Sequence, residues 1–474
     1  MVFNSLQFAA FFLVVYGLYR VLPHRAQNAM LLAASYVFYA AWDSRFLGLL
    51  IGSTVIDFYV GRYISGHSDR RKRRLALLLS LVYNLGVLGF FKYFNFFADG
   101  LGRMFGAVGW HLDPVTINVV LPMGISFYTF MTISYVIDVY RREIEPVDSL
   151  PNFALFVAYF PHLVAGPILR ASRLIPQIAS PRTITKEQSV EGLWLIAWGL
   201  FQKMFVADNL AAIVETAFAR SASPTGAEVL VATYAFAFQI YGDFAGYSNM
   251  ARGISKLLGI ELNINFLFPY FVISPQEFWR HWHISLSTWL RDYLYVPLGG
   301  NRGSALKTMR NLMITMVLGG LWHGAAWTFV LWGVYQGVAL VIGRSILAWG
   351  ARRGIAVPGG WNWKRVLLAV MMFHVTCYGW LIFRAQSASQ ISDLTRRVVT
   401  DLLPSPATLI PLLTPLALIV GPLMAVHAYQ ARRGSESAPL GLQPPIRYAL
   451  YGAVFYLVVL FGSFEGAQFI YFQF

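Results

Sequence analysis

Residues 318–327 read LGGLWHGAAW, a histidine set between two tryptophans in an apolar run. An imidazole titrates near neutral pH and serves as general base, general acid or acyl acceptor. Such a ring is costly among apolar groups unless it has a partner or a task. His323 is therefore the first candidate for chemistry, with a core histidine bonded to a carbonyl as the alternative. Gly319, Gly320 and Gly324 leave room beside it for another backbone or a substrate, and Trp322 and Trp327 are expected to form a water-excluding wall. Two further histidines, His281 and His283, stand in FWRHWHISLSTW. On a helix, residues two apart point in different directions, so the two would not face one site. No acidic ligands accompany the three histidines, and no metal site is expected.

A second polar set lies in FQIYGDFAGYSNMARG, where Asp243 and Tyr247 share a helix face at i,i+4 and Asn249 and Arg252 follow. It reads either as an internal network fastening helices or as one wall of a polar tunnel. His162, in YFPHLVAGPILR, is a further buried polar candidate. The glycine-rich basic loop LGGNRGS at 298–304 lacks the P-loop pattern but offers backbone amides to phosphate.

The elements that must position these groups are membrane helices. The chain has 474 residues, 57% of them hydrophobic and only 12% charged. Soluble domains carry roughly 25% charged residues, so this chain cannot cover an ordinary aqueous surface. Apolar runs long enough to cross a bilayer recur at about 5–22, 28–42, 46–64, 75–98, 117–139, 190–214, 227–248, 311–345, 366–384, 407–427 and 446–462. The expected fold is an all-α polytopic membrane protein with about eleven spans, treated as a single domain over 1–474. Within it, N-terminal helices occupy 1–150, a core 151–345 and C-terminal helices 346–474. Residues 311–345 make either one tilted helix or two short passes around His323. Residues 151–183, interrupted by Pro161, Pro167 and Pro176, suit a re-entrant segment. Residues 262–310 look like amphipathic helices at an interface.

The net charge of +15 does not mark a nucleic-acid binder, because the basic residues gather in alternate loops. One set contains Arg20 and Arg25, the run Arg70 to Arg74, Arg141 and Arg142, Arg352 and Arg353, Lys364 and Arg365, and Arg432, Arg433 and Arg447. The other set, with Asp43, Arg45, Asp99, Arg103, Asp113, residues 385–405 and Glu465, is poorer in cations. The first set is assigned to the cytoplasm, which places both termini outside. The N-terminal apolar run has its charges after it, so it is expected to be a retained span and not a signal peptide. The single cysteine, Cys377, excludes an intramolecular disulfide and is expected to behave as a small apolar residue.

Taken together, these strings resemble the membrane-bound O-acyltransferase family, in its bacterial alginate O-acetyltransferase-like branch. The resemblance runs through MVFNSLQF (1–8), ASYVFYAAWD (34–43), LPMGISFYTFMTISYVIDVYRREI (121–144), YFPHLVAGPILR (159–170) and GLFQKMFVADNLA (199–211). It continues in QIYGDFAGYSNMARGISKLLGIEL (239–262), FWRHWHISLSTWLRDYLYVPLGGNRG (278–303), GGLWHGAAWTFVLWGVYQG (319–337) and FIYFQF (469–474). It implies a membrane acyltransferase whose essential histidine is His323 and whose second histidine is His283. At the family's preceding arginine this chain has His281. It also implies acetyl-CoA as donor, with no bound cofactor. An inner-membrane location and a periplasmic SGNH-type partner that acetylates an alginate-like polysaccharide are implied as well. The donor would enter from the cytoplasm and reach His323 through a central tunnel, with Arg291, Arg302 and Lys307 as phosphate contacts. A transporter or flippase of a lipid or glycan intermediate, or a scaffold for a secreted partner, is the alternative. No repeat of the kind many transporters carry is evident.

Overall fold

The computed structural model describes residues 1–110, 120–219, 221–355, 357–401, 405–464 and 469–470. Asp113, Glu465, part of the 385–405 loop, the first residues of the 117–139 span and the terminal residues 471–474 lie outside the described residues. Every regular element among the described residues is helical. The chain divides into two compact units, one of residues 1–192 with 254–263, the other of 193–253 with 264–474.

The first unit begins with α1 (Leu6–Val21), whose N-cap Ser5 accepts from the Phe8 amide at 3.1 Å. It continues with α2 (His24–Asp43), α3 (Leu47–Ser65), α4 (Arg70–Leu88), α5 (Phe94–Ala107) and α6 (Ile125–Arg141). A buried polar knot joins the middle helices. Ser80 and Asn84 of α4 donate to the two oxygens of Asp57 on α3 at 2.6 and 2.8 Å, and Ser53 donates to Asn84 at 2.6 Å. In an apolar setting such bonds hold helices in register, because their loss would leave a carboxylate without compensation.

The proline-interrupted stretch is a broken helix. It comprises α7 (Leu150–Ala158), the single turn α8 (Phe160–Leu163), an irregular link and α9 (Ala171–Ala179). Residues 153–169 are all buried. Irregular backbone at this depth requires internal partners. Ser35 of α2 accepts from the Phe160 amide at 3.0 Å where the helix breaks, and His162 Nε2 lies 3.0 Å from the Phe156 carbonyl. His162 is thus bonded within its own segment.

The second unit holds most of α10 (Lys186–Leu200), then α11 (Asp208–Phe218) and most of α12 (Gly226–Leu257). The short helices α13 (Pro275–His281) and α14 (Ile284–Leu290) follow, then α15 (Ala305–His323) and α16 (Trp327–Arg352). The remainder is α17 (Trp363–Arg384), α18 (Ala388–Thr400), α19 (Pro406–Arg433) and α20 (Pro444–Phe461). Ser304 caps α15 by accepting from the Lys307 amide at 3.3 Å, and Gly324, at φ −164°, ends it in extended backbone. Residues 311–345 are therefore two helices with His323 at the turn.

Across that hairpin the backbones touch. A Cβ on Gly320 would sit 2.2 Å from the Phe329 carbonyl oxygen, and one on Gly333 would sit 2.5 Å from that of Met316. Small residues permit this approach between membrane helices. The space at Gly320 and Gly333 is filled by the facing helix. That at Gly324 is filled by the Phe329 ring, 2.1 Å from where a Cβ would stand. The glycines here admit another backbone and a side chain rather than a substrate.

Seven helical segments among the described residues are long and apolar enough to cross a membrane: 24–65, 70–107, 186–218, 327–352, 363–384, 409–433 and 444–461. The first contains two of the expected spans, 28–42 and 46–64, separated by a turn at Ser44–Phe46. The expected run at 5–22 is α1, a shorter apolar helix. The runs at 117–139 and 227–248 correspond to α6 and α12. Helix α19 keeps Pro411, Pro415 and Pro422 inside a continuous helix, which neighbouring helices make tolerable in a membrane. Cys377 is buried, as its apolar reading requires.

Candidate active site

His323 lies in the second unit with 4% of its surface exposed. Its ring meets three aromatic rings nearly edge-on: Trp322 at 5.1 Å, Trp332 at 5.0 Å and Phe383 at 5.4 Å. These contacts correct the expected wall. Trp327 is 62% exposed, whereas Trp332 of α16 and Phe383 of α17 are buried. The reason is helical phase: Trp327 opens α16 after the turn, and Trp332 comes round to the inner face. Trp380 extends the box, stacking on Trp332 at 6.2 Å and packing on Trp282 at 4.7 Å.

His283 is fully buried and adjoins the same box, its ring 5.9 Å from that of Trp322. His281 and His283 do not share a helix, because α13 ends at His281 and His283 turns in the left-handed region at φ 42° before α14. That turn separates the two histidines. His281 Nδ1 bonds the Leu267 carbonyl. His283 Nδ1 lies 3.3 Å from Asn265 Oδ1, which also accepts from the Ser285 amide at 3.2 Å and the Ser285 hydroxyl at 2.9 Å. An amide oxygen only accepts, so Nδ1 carries the proton and Nε2 carries the lone pair. Burial pushes His283 down to about 3, which keeps the ring neutral. Part of the stretch expected at an interface, Trp282 to Leu286, thus contributes to the buried centre.

Asn265 and Ser285 are not conspicuous in the sequence, because nothing in an Asn eighteen residues before a histidine announces a contact. Replacing Asn265 with alanine removes three acceptor contacts at once. We expect roughly fivefold slower turnover with little change in KM, since a supporting hydrogen bond is worth about 1 kcal/mol. Equal kcat in wild type and variant would exclude a positioning role for Asn265.

The Asp243 set is bonded into a buried ionic and hydrogen-bonded cluster that borders this centre. Lys203 bridges Asp243 at 2.6 Å and Asp208 at 2.8 Å, and Asp243 accepts from the Ile470 amide at 2.6 Å. Tyr247, on the same face of α12, packs on Phe469 at 5.0 Å. Between them Phe244 meets the His283 ring edge-on at 4.6 Å. Asn249 donates to Gln202 at 2.8 Å and accepts from Arg252, which also pairs with Glu436 at 2.9 Å. Lys203 falls inside the expected span 190–214, where a cation in an apolar run signals an internal partner; residue order does not say which carboxylates it meets.

The three candidate phosphate contacts are not part of the buried cluster. Arg291 pairs with its neighbour Asp292 at 2.6 Å, and Arg302 and Lys307 are exposed. Their loop turns through Gly299, Gly300 and Gly303, all at positive φ, and Asn311 holds it by donating to the Gly300 carbonyl at 3.1 Å.

The fold and centre define a polytopic helical membrane protein with two histidines in a water-poor aromatic core. The model of the membrane-bound O-acyltransferase family matches residues 139–382, just over half the chain. A probable alginate O-acetylase of Azotobacter vinelandii is 45% identical over 390 residues, covering 82% of this chain and 76% of the relative. The corresponding Pseudomonas aeruginosa protein is 45% identical over 85% of this chain and 78% of its own. A peptidoglycan O-acetyltransferase of Helicobacter pylori is 34% identical over 84% of this chain and 80% of its own. The chain belongs to the membrane-bound O-acyltransferase family, and it is an acyltransferase.

Proposed function

We propose that the enzyme takes an acetyl group from cytoplasmic acetyl-CoA and passes it across the bacterial inner membrane. A periplasmic SGNH-type partner then O-acetylates an alginate-like polysaccharide. The observation that carries this reading is His323, buried in an aromatic box at the turn of the α15–α16 hairpin. The likeness to alginate O-acetylases supports the acetyl group and the acceptor class. With the basic loops cytoplasmic and both termini periplasmic, α15 runs inward from Ser304. Its 19 residues place His323 about 28 Å from the basic loop. A donor entering at that loop would reach the ring only by a narrow path between the helices.

Two balanced routes are open to the ring. As general base, His323 accepts the hydroxyl proton while the acceptor oxygen attacks the thioester carbonyl. The C–S bond breaks, and the imidazolium returns the proton to the CoA thiolate. As acyl carrier, a ring nitrogen attacks the carbonyl, the C–S bond breaks, an acyl-imidazole forms and the thiolate departs. The acceptor oxygen then attacks the acyl carbon, the C–N bond breaks, and the hydroxyl proton leaves to balance the departed thiolate as CoA thiol. His283, neutral and behind Trp322, supports the arrangement through the box. The aromatic walls lower the local dielectric and strengthen each of these interactions.

The test uses sealed membrane vesicles and [14C]acetyl-CoA. Label should enter acceptor only when the donor is on the cytoplasmic face. Arg302→Gln with Lys307→Gln should raise donor KM about fivefold to tenfold with kcat preserved, the effect of losing charged phosphate contacts at an exposed site. Transfer from donor supplied on the periplasmic face would overturn the direction. An unchanged KM would remove both residues from the donor path.

A further inference from the structure

We propose that the second unit carries a binding site for one anionic phospholipid, with an acyl chain in an apolar groove and its phosphate at a basic rim. The groove encloses about 260 Å³ and is lined by Phe238, Phe271, Trp361, Ala369, Phe373 and Met424, among others. Arg365, Val366, Ala369, Val370 and Phe373 lie along one face of α17, so the groove descends about 12 Å from the helix start. At that end the apolar lining gives way to charge. Arg432, closing α19, lies over the Trp361 ring at 5.6 Å, and Lys364 lies over Trp363 at 5.7 Å. Arg365, at the mouth, is committed to Glu277 at 2.6 Å and so shapes the rim, leaving the exposed Arg432 and Lys364 to meet an anion.

An apolar slot of this length closed at one end by tryptophan and cations matches a lipid: tail below, phosphate above. Tryptophan, lysine and arginine gather where membrane proteins meet headgroups. Basic pockets between membrane helices recognise anionic headgroups, each cation contributing about 1 kcal/mol. A zwitterionic lipid carries the same phosphate but adds its own cation beside the basic rim, so the charge argues for an anionic one. Packing of α17 against α16 and the Glu277 pair keep the mouth formed.

Native mass spectrometry of the full-length protein in mild detergent tests this with phosphatidylglycerol and phosphatidylcholine of identical chains. Wild type should retain phosphatidylglycerol at markedly lower concentration than phosphatidylcholine. Ala369→Trp, which fills the groove, should lose the bound lipid. Arg432→Gln, at an exposed position that leaves folding intact, should weaken phosphatidylglycerol about fivefold and phosphatidylcholine less, the loss of one headgroup cation. Equal retention of the two lipids by wild type, or undiminished phosphatidylglycerol on Arg432→Gln, overturns the proposal. Displacement of the lipid by acetyl-CoA also overturns it and gives the groove to the donor.

Discussion

Replacing His323 with alanine is expected to reduce acyl transfer by 10²- to 10⁴-fold, the usual contribution of a positioned general acid–base group. The protein should remain folded and inserted, because the ring contributes edge contacts to Trp322, Trp332 and Phe383 while the hairpin is held by the Gly320 and Gly333 crossing. The cavity left by the ring costs about 2–5 kcal/mol of stability, which lowers the melting temperature and not the turnover of the folded protein. Label transfer from [14C]acetyl-CoA, measured beside thermal stability in detergent, separates the two effects. A stable variant that still transfers label would remove His323 from the chemistry. His323→Gln refines the result, since it keeps a polar planar group but neither accepts a proton nor carries an acyl group. Rapid acid quench of wild type without acceptor then distinguishes the routes: a labelled protein adduct at His323 marks the carrier, and its absence with intact turnover marks the base.

The second large effect concerns folding. Lys203→Met should destabilise the second unit by about 3–5 kcal/mol, the cost of removing one partner from a buried ionic group. Lys203 holds both Asp208 and Asp243, and all three side chains are almost wholly enclosed. Its loss leaves two carboxylates facing one another without a cation. Asp243 also receives the Ile470 amide, so the segment carrying Phe469 should loosen, and with it the packing on Phe244 beside His283. Expression level and detergent melting temperature report the change. Lys203→Met combined with Asp208→Asn and Asp243→Asn should recover a good part of the stability, because no unpaired charge then remains. A single variant as stable as wild type would show the triad to be unimportant to the fold.

The Lys203 triad also marks the boundary of what residue order reveals. Composition announces the membrane class, since 12% charge cannot coat a water-soluble surface of this size. Hydropathy locates the long helices, with some ends displaced by up to nine residues, because a bilayer imposes a length and an apolar content on each. Pro161 and Pro167 mark a broken segment, and the fold breaks it beside them, whereas Pro176 lies inside the continuous α9. His323 stands out because an ionisable ring is conspicuous in an apolar run. The glycines around it are equally visible, but their purpose is not. Whether empty space serves substrate or backbone depends on what faces it, and only the hairpin sets Phe329 and Met316 there.

Contacts between residues far apart in the chain follow from packing. Trp332 and Phe383, not Trp327, complete the box, because rotation around α16 and the approach of α17 choose the inner faces. Asn265 reaches His283 because the chain turns at φ 42° instead of continuing α13. Local hydropathy and residue type suffice to establish the solvent this protein lives in, where its main helices run and which ring is chemically exceptional. What surrounds that ring, and which buried charges neutralise one another, depends on side chains that meet only when the helices pack.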